Sequence, residues 1–557
     1  MPTRKPTNAL RLAAALALAA ACFAMSLAPR RATAQQPATA QQAAQQQPSQ
    51  SPTRDAPLTP QERRGKVLYL RGESPSGREI VATIGEVDVP ASTVTCGACH
   101  GVKGEGKTEG GVTAGNLQWS NLTKPSGHTH PSGRQHGAFD EMSFVRAVAG
   151  GVDPKGNTLQ VAMPRYKLAA EDMADLIAYL KRIETDHDPG LTDTTIGVGL
   201  LVPAKGALGE TGQAIKAVTA AYFEEINRQG GIYNRKLELK VAETGDTPAA
   251  TSANLEQLVT GGQVFALANV FTAGVDAEVA ALAQKQEVPL VGAITLTPQT
   301  SVPVNRQVFY LLPGTADQAR ALASYAAKKL NDKDARLAVI YTQGDTIAAV
   351  ATAAVDAESK SVGWPLPTRV ALKPGMPDAV APAVAALKDK GTQAVFIFGA
   401  GLPSSFLKEA ERTNFFPQVY LLGATTGSDI LNAPAGFKEK IFLAFPTVPT
   451  DITHEGESNF RALAQKYQLP TTHIAAQISA YAAAQLLVEA LKRAGQDLSR
   501  EKLITSLEGL YEYNTGLTPP LTFGPNRRIG ALGAYIVTVD VEKKQYVATG
   551  AWVSADR

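Results

Sequence analysis

Sulfur is scarce in this sequence: 557 residues contain three cysteines and six methionines. Three cysteines cannot staple the kind of disulfide framework that replaces a core in small secreted domains. A surplus of one charge is also missing. Lysine and arginine number 54 against 51 acidic residues, a formal net of +3, so neither nucleic acid nor an anionic membrane surface is expected as a partner. No internal repeat of short period occurs, which sets aside solenoids and propellers. Beyond the N-terminal region, no segment reads as long and apolar enough to span a membrane, and a soluble mature chain is expected. There is no Gly-x-Ser-x-Gly elbow and no His-Glu-x-x-His; His454 and His473 stand alone, and Glu224-Glu225 reads as a solvated helix face. The chain is therefore not read as an enzyme.

What is present divides into segments. The length calls for two or three domains, and 44% hydrophobic with 19% charged residues suits globular protein. Arg4 and Lys5 precede an apolar run over 10–27, and Ala32-Thr33-Ala34 follows. Residues 1–34 therefore read as a secretory signal peptide, which implies a periplasmic location. A membrane anchor and a lipoprotein site at Cys22 are the alternatives. The run is Ala-rich, and Ala19-Ala20-Ala21 is a poor lipoprotein signal. Residues 35–57, rich in Gln and Pro, read as a disordered linker.

With Cys22 in the signal, Cys96 and Cys99 remain, in the run Cys96-Gly97-Ala98-Cys99-His100. This is Cys-x-x-Cys-His, the attachment pattern for haem c: two thiols add to two vinyl groups and the adjacent imidazole reaches the iron. A thioredoxin-like pair lacks its strand-then-helix setting, and a zinc site lacks a second ligand pair. For the second axial ligand, Met142 and Met173 fall on helical patterns as core fillers. Met376 lies outside this segment. Met163 precedes Pro164 in an irregular, polar stretch, where a stiffened loop can hold a thioether at the iron. Residues 58–183 resemble class I cytochromes c through Gly65, Tyr69, Cys96, Cys99, His100, Gly101, Gly104, Gly106, Met163-Pro164-Arg165-Tyr166, Leu176 and Tyr179-Leu180. The resemblance implies a small all-α domain over 58–185 around one covalent haem c. Cys96 and Cys99 would hold it, with His100 proximal and Met163 distal. Two departures stand out. Residues 78–95 carry a hairpin pattern, and the loop 116–137 carries His128, His130 and His136, expected to be solvated unless they bind a metal or the iron.

After a polar hinge at 186–193 the texture becomes strand–helix alternation. A strand is expected over Thr195–Val202, a helix over Gly209–Arg228 ended by Gly230-Gly231, and further short strands in two sets. Such alternation means parallel sheets covered on both faces, in two lobes. Residues 194–557 resemble the leucine/isoleucine/valine-binding receptors, through Gly206-Ala207-Leu208-Gly209, the run Glu225 to Ile232, and Phe523-Gly524-Pro525-Asn526 with Arg527-Arg528-Ile529-Gly530. The resemblance implies a two-lobed α/β periplasmic-binding fold with the ligand in a cleft. Gly206, Thr272, Thr295 and Thr297 would hold a carboxylate from the first lobe, and Gln343, Asp345 and Thr425 would face it from the second. The aromatics that grip an α-ammonium group are absent, and Thr425 stands where an acidic residue is expected. A buried ammonium needs a charge partner, so a small organic acid or near-neutral metabolite is expected. A docking scaffold that binds nothing is the alternative.

The fold class is thus multidomain, a small all-α cytochrome c domain followed by a two-lobed α/β binding fold. The function expected is electron transfer to or from a periplasmic dehydrogenase or another cytochrome. Solute delivery to a membrane permease of an ABC-type importer, or ligand-responsive redox sensing, is the alternative.

Overall fold

The computed structural model describes residues 58–109, 111–130, 132–272, 274–300, 302–375 and 379–555. The expected signal peptide, the Gln/Pro-rich linker and Met376 lie outside them. The first helix, Pro60–Arg71, opens with a capping box between Thr59 and Glu62 and closes on left-handed Gly72. It packs against Ala170–Leu180. Gly65 sets how closely: a Cβ there would lie 2.0 Å from the Asp175 carbonyl oxygen. Leu68, Tyr69, Phe144, Leu176, Tyr179, Leu180 and Ile183 form one apolar cluster between these helices and Glu141–Gly150.

This part is helical, with small antiparallel sheets added. The hairpin expected in 78–95 is present as Val81–Ile84 paired with Val87–Pro90, and Arg165–Lys167 adds a third strand. Met142, expected on a buried face, is 78% exposed, because Ser143, Phe144, Ala147 and Val148 form the inner stripe. Met173 is buried, as its periodicity implied.

The remainder builds two sheets. The first is all parallel, in spatial order Val308–Phe309, Leu290–Val291, Ala266–Ala268, Thr195–Val202 and Lys236–Glu243. Ile196, Val198 and Leu200 are fully buried, each worth roughly 1.5–3 kcal/mol of apolar burial. Gly209–Arg228 and Ile474–Ala494 cover one face; Pro248–Thr260 and Asp276–Lys285 cover the other. By length and composition Ile474–Ala494 can cross a membrane, contrary to the sequence expectation. In this fold its apolar residues belong to the first-lobe core.

The second sheet runs Thr368–Leu372, Leu337–Thr342, Ala394–Phe398, Gln418–Leu422 and Ile441–Phe445 in parallel. It ends in an antiparallel hairpin, Gly533–Asp540 with Gln545–Ser554, so this sheet is mixed rather than purely parallel. The chain passes between the two cores between Leu311 and Ala319, between Ala444 and Phe460, and between Ala531 and Ala534.

Residues 186–193, expected as a hinge, are tied down. Lys66 Nζ meets Asp186 at 2.7 Å and Asp188 at 3.1 Å. The other Asp188 oxygen accepts from the Arg500 amide at 2.6 Å. Arg500 donates to the carbonyls of Val264, Phe265 and Gln286, and Arg71 meets Glu287 at 3.0 Å. These carbonyls precede the strands Ala266–Ala268 and Leu290–Val291. The first helical part therefore sits at the N-terminal ends of the first-lobe strands.

Candidate functional site

Cys96–His100 forms a short helix whose N-cap, Thr95, accepts from the Ala98 amide. Neither Cys96 nor Cys99 is in a disulfide. Burial, with a smaller contribution from Cys99, pushes the Cys96 thiol up to about 12. His100 is buried, and its Nδ1 lies 2.6 Å from the Gly115 carbonyl oxygen. A carbonyl only accepts, so Nδ1 carries the proton and Nε2 keeps a free lone pair. Burial also holds the His100 pKa below the ordinary histidine value, against the opposing Gly115 bond. A neutral imidazole with its outer nitrogen fixed to a carbonyl is the form a metal-ligating histidine takes. The loop behind it is tight. Gly106 donates to the His100 carbonyl at 2.9 Å, and Tyr69 donates to the Gly101 carbonyl at 2.7 Å. Gly106 has φ +86°, and a Cβ there would lie 2.6 Å from the Ala114 carbonyl oxygen.

Met163 is half-buried and packs, like Cys96, against the apolar cluster of this domain. Its carbonyl accepts from the Arg165 guanidinium, which also bonds the Leu159 carbonyl at 2.9 Å. Leu68, Ile80, Cys96, Val148, Tyr166 and Leu176 line an apolar crevice. Two free thiols, a neutral imidazole and an apolar wall fit haem c: Cys96 and Cys99 would hold it, with His100 and Met163 as axial ligands.

His128, His130 and His136 are not the solvated side chains expected. His136 is buried, and the three rings lie 5.0–6.4 Å apart in pairs. His130 Nε2 is 2.9 Å from His136 Nε2 and accepts from Arg134, which pairs with fully buried Asp153 at 2.6 Å. The hairpin His128–Thr129 with Gln135–His136 folds them together. Among the described residues no group of three or more His, Cys, Asp or Glu side chains, this trio included, is arranged to hold a metal ion.

The residues expected in the ligand cleft all follow the C-terminal ends of parallel strands, where open α/β sheets bind ligands. Gly206 begins a short turn after Thr195–Val202. Thr272 follows Ala266–Ala268, and Thr295 and Thr297 follow Leu290–Val291. Gln343 and Asp345 follow Leu337–Thr342, and Thr425 follows Gln418–Leu422. In the second lobe Asp345 and Thr425 are held locally. The Asp345 side chain caps Thr346–Ser361 by accepting from Ala348, and Thr425 lies 3.5 Å from the Leu422 carbonyl.

In the first lobe the three threonines converge on a residue the sequence reading missed. Thr272 donates to Asp276 Oδ1 at 2.6 Å, Thr295 donates to the same oxygen, and Thr297 donates to Oδ2 at 3.0 Å. These hydroxyls, expected to grip a ligand carboxylate, here donate to a carboxylate of the chain. Nearby, burial, opposed by the Gln299 amide and reinforced by Asp276, pushes the Tyr310 phenol up to about 12.

Comparison with known proteins agrees with this architecture. The family model described as periplasmic binding protein matches residues 195–545, and the cytochrome c model matches 89–184. Leu/Ile/Val-binding protein homolog 3 of Brucella melitensis is 28% identical over 27% of this chain and 40% of its own length. Leu/Ile/Val-binding protein BraC3 of Rhizobium johnstonii is 27% identical over 28% of this chain and 41% of its own. The match thus spans about two fifths of these relatives. A putative branched-chain amino acid ABC transporter structure from Rhodospirillum rubrum superposes with a TM-score of 0.52 at 18% identity. It covers 64% of this chain and 99% of that one, a likeness of fold. A pair of sheets covered by helices, preceded by a Cys-x-x-Cys-His helix, thus has its counterparts: the chain belongs to the periplasmic binding protein family and carries a cytochrome c domain ahead of its binding fold.

Proposed function

We propose that the protein is a periplasmic electron carrier with one covalent haem c on Cys96 and Cys99 and a fused domain that captures a small polar metabolite. It serves a periplasmic dehydrogenase or another cytochrome and is not itself an enzyme. The observation that carries this reading is His100, buried, with Nδ1 committed to Gly115 and Nε2 left free beside a thiol pair. Haem c, when bound, supplies one-electron exchange, and a thioether ligand raises its potential. Exposed Val161, which lies against the Gly85 turn, and exposed Val87 two residues beyond that glycine offer a redox partner an apolar contact.

The cleft and the haem-holding helix lie at opposite ends of the first-lobe strands. Thr195–Val202 has 8 residues, roughly 25 Å at about 3.3 Å each. Electron exchange falls steeply with distance, so direct oxidation of a cleft ligand is disfavoured and an external partner is favoured. The same placement leaves the cleft face clear for a membrane permease, which supports solute import as the second reading.

A redox titration of the haem-loaded protein tests the carrier. A low-spin reduced spectrum, a far-red sulfur-to-iron band in the oxidised form and a positive potential are expected. Met163→Ala should abolish that band; its survival would remove Met163 from the iron.

A further inference from the structure

We infer that Asp276 sets the specificity of the cleft: the ligand end that meets the first lobe is a hydrogen-bond donor, an amine or a hydroxyl, and not a carboxylate. This rests on the reading of the cleft as a ligand site.

Thr272, Thr295 and Thr297 come from two loops at the C-terminal ends of adjacent strands, and all three hydroxyls point to one carboxylate. Each hydroxyl has a single proton to donate. With those protons committed to Asp276, a ligand carboxylate finds no hydroxyl donor there and meets a like charge instead. Asp276 has no ion-pair partner among the described residues, so its charge is carried by neutral donors. It is half-buried, at the start of Asp276–Lys285 on the cleft end of the sheet. A carboxylate has about four acceptor positions, and three are taken. The remaining one suits a donor arriving from the cleft.

The surroundings agree in sign. The loops 203–209, 271–272, 293–297, 343–346, 399–402 and 423–426 carry one cationic side chain, exposed Lys205, against Asp345, with Asp276 just beyond them at a helix start. The site is also placed to report on the lobes. The Leu296 carbonyl, between Thr295 and Thr297, accepts from the Thr315 amide at 2.8 Å, at the start of the first second-lobe helix, Thr315–Leu330.

Calorimetric titration of the full haem-loaded chain with matched pairs tests this. The pairs are propane-1,2-diol against lactate and 3-methylbutylamine against leucine, each differing by the carboxylate. Wild type is expected to bind the donor-ended member of at least one pair about tenfold or more tighter, a difference of ~1.4 kcal/mol. Asp276→Asn, shown folded by circular dichroism, is expected to reverse that order. Tighter binding of the carboxylate member by wild type, or an unchanged order in Asp276→Asn, overturns the role of Asp276 and leaves the cleft a binding site. Silence of every compound in both forms at millimolar concentration overturns the inference and the cleft reading together. The haem titration does not involve the cleft and stands apart from either failure.

Discussion

Asp153 accepts from Arg134, from the amides of Lys155 and Asn157, and from the Asn157 side chain, with none of its own side chain exposed. Burial alone would raise its pKa, but these donors outweigh burial and hold it below the ordinary aspartate value of 3.8. His130 is also depressed, below 6.5, by burial, then by Arg134 and the neighbouring rings. Both shifts have the same sign for stability. A group whose folded pKa is lowered contributes stability above its unfolded pKa and loses it as pH falls. The melting temperature of the cytochrome domain, followed by haem absorbance, should therefore fall in two steps. The first begins below about pH 6.5 and the second below about pH 4. His130→Gln should shrink the first step and leave the second unchanged, since buried His100 is lowered as well and shares that window. The Cys96–His100 run was legible as a proposed haem site because that chemistry demands adjacency: two thiols and an imidazole in five residues. Asp276 was not, since two of its three partners stand 19 and 21 residues away and meet it only across the sheet. The one local hint was Thr272, four residues earlier at a helix start.

The helices Pro60–Arg71 and Ala170–Leu180 approach until backbone touches backbone at Gly65, where any side chain collides with Asp175 and Tyr179. Overpacking of a tight contact costs typically 1–3 kcal/mol, occasionally more, so Gly65→Ala should lower the stability of this domain by about 3 kcal/mol. Urea unfolding monitored at the haem band measures it. Elements with a full pattern were read correctly from sequence: Thr195–Val202 and Gly209–Arg228 match to the residue. Misreadings came where burial is decided by distant partners. Met142 has helical spacing but points outward, and Ile474–Ala494 is apolar enough for a membrane yet fills a core. The C-terminal hairpin escaped notice because its outer strand is largely exposed and lacks a clear apolar alternation.

For the whole molecule, the seam between cytochrome and binding domains decides what can be coupled. Lys66 keeps only 20% of its side chain exposed between Asp186 and Asp188. Burial opposes its charge, but the aspartates win and raise its pKa. Asp188 is lowered: burial opposes ionisation, and Lys66 with Arg500 outweighs it. Its contribution is thus present above the ordinary aspartate pKa and lost below about pH 4. Lys66→Met leaves two buried carboxylates facing no ammonium, at a cost of about 3 kcal/mol. Haem-band and far-ultraviolet melts, coincident in wild type, should separate in that variant. With the proposed haem on Cys96–His100 and the proposed ligand at the C-terminal ends of the first-lobe strands, a saturating ligand should move the haem potential by well under the ~59 mV of a tenfold coupling. A larger shift would favour the sensor.

The same locked seam turns the haem into a fixed optical landmark. A dye attached to Thr346–Ser361, in the second lobe, would be quenched by a porphyrin held at Cys96 and Cys99 to a degree set by the angle between the lobes, since Lys66, Asp188 and Arg500 tie the cytochrome to the first lobe. Ligands could then be screened by emission alone, with no label on the cleft and no knowledge of what it was built to hold.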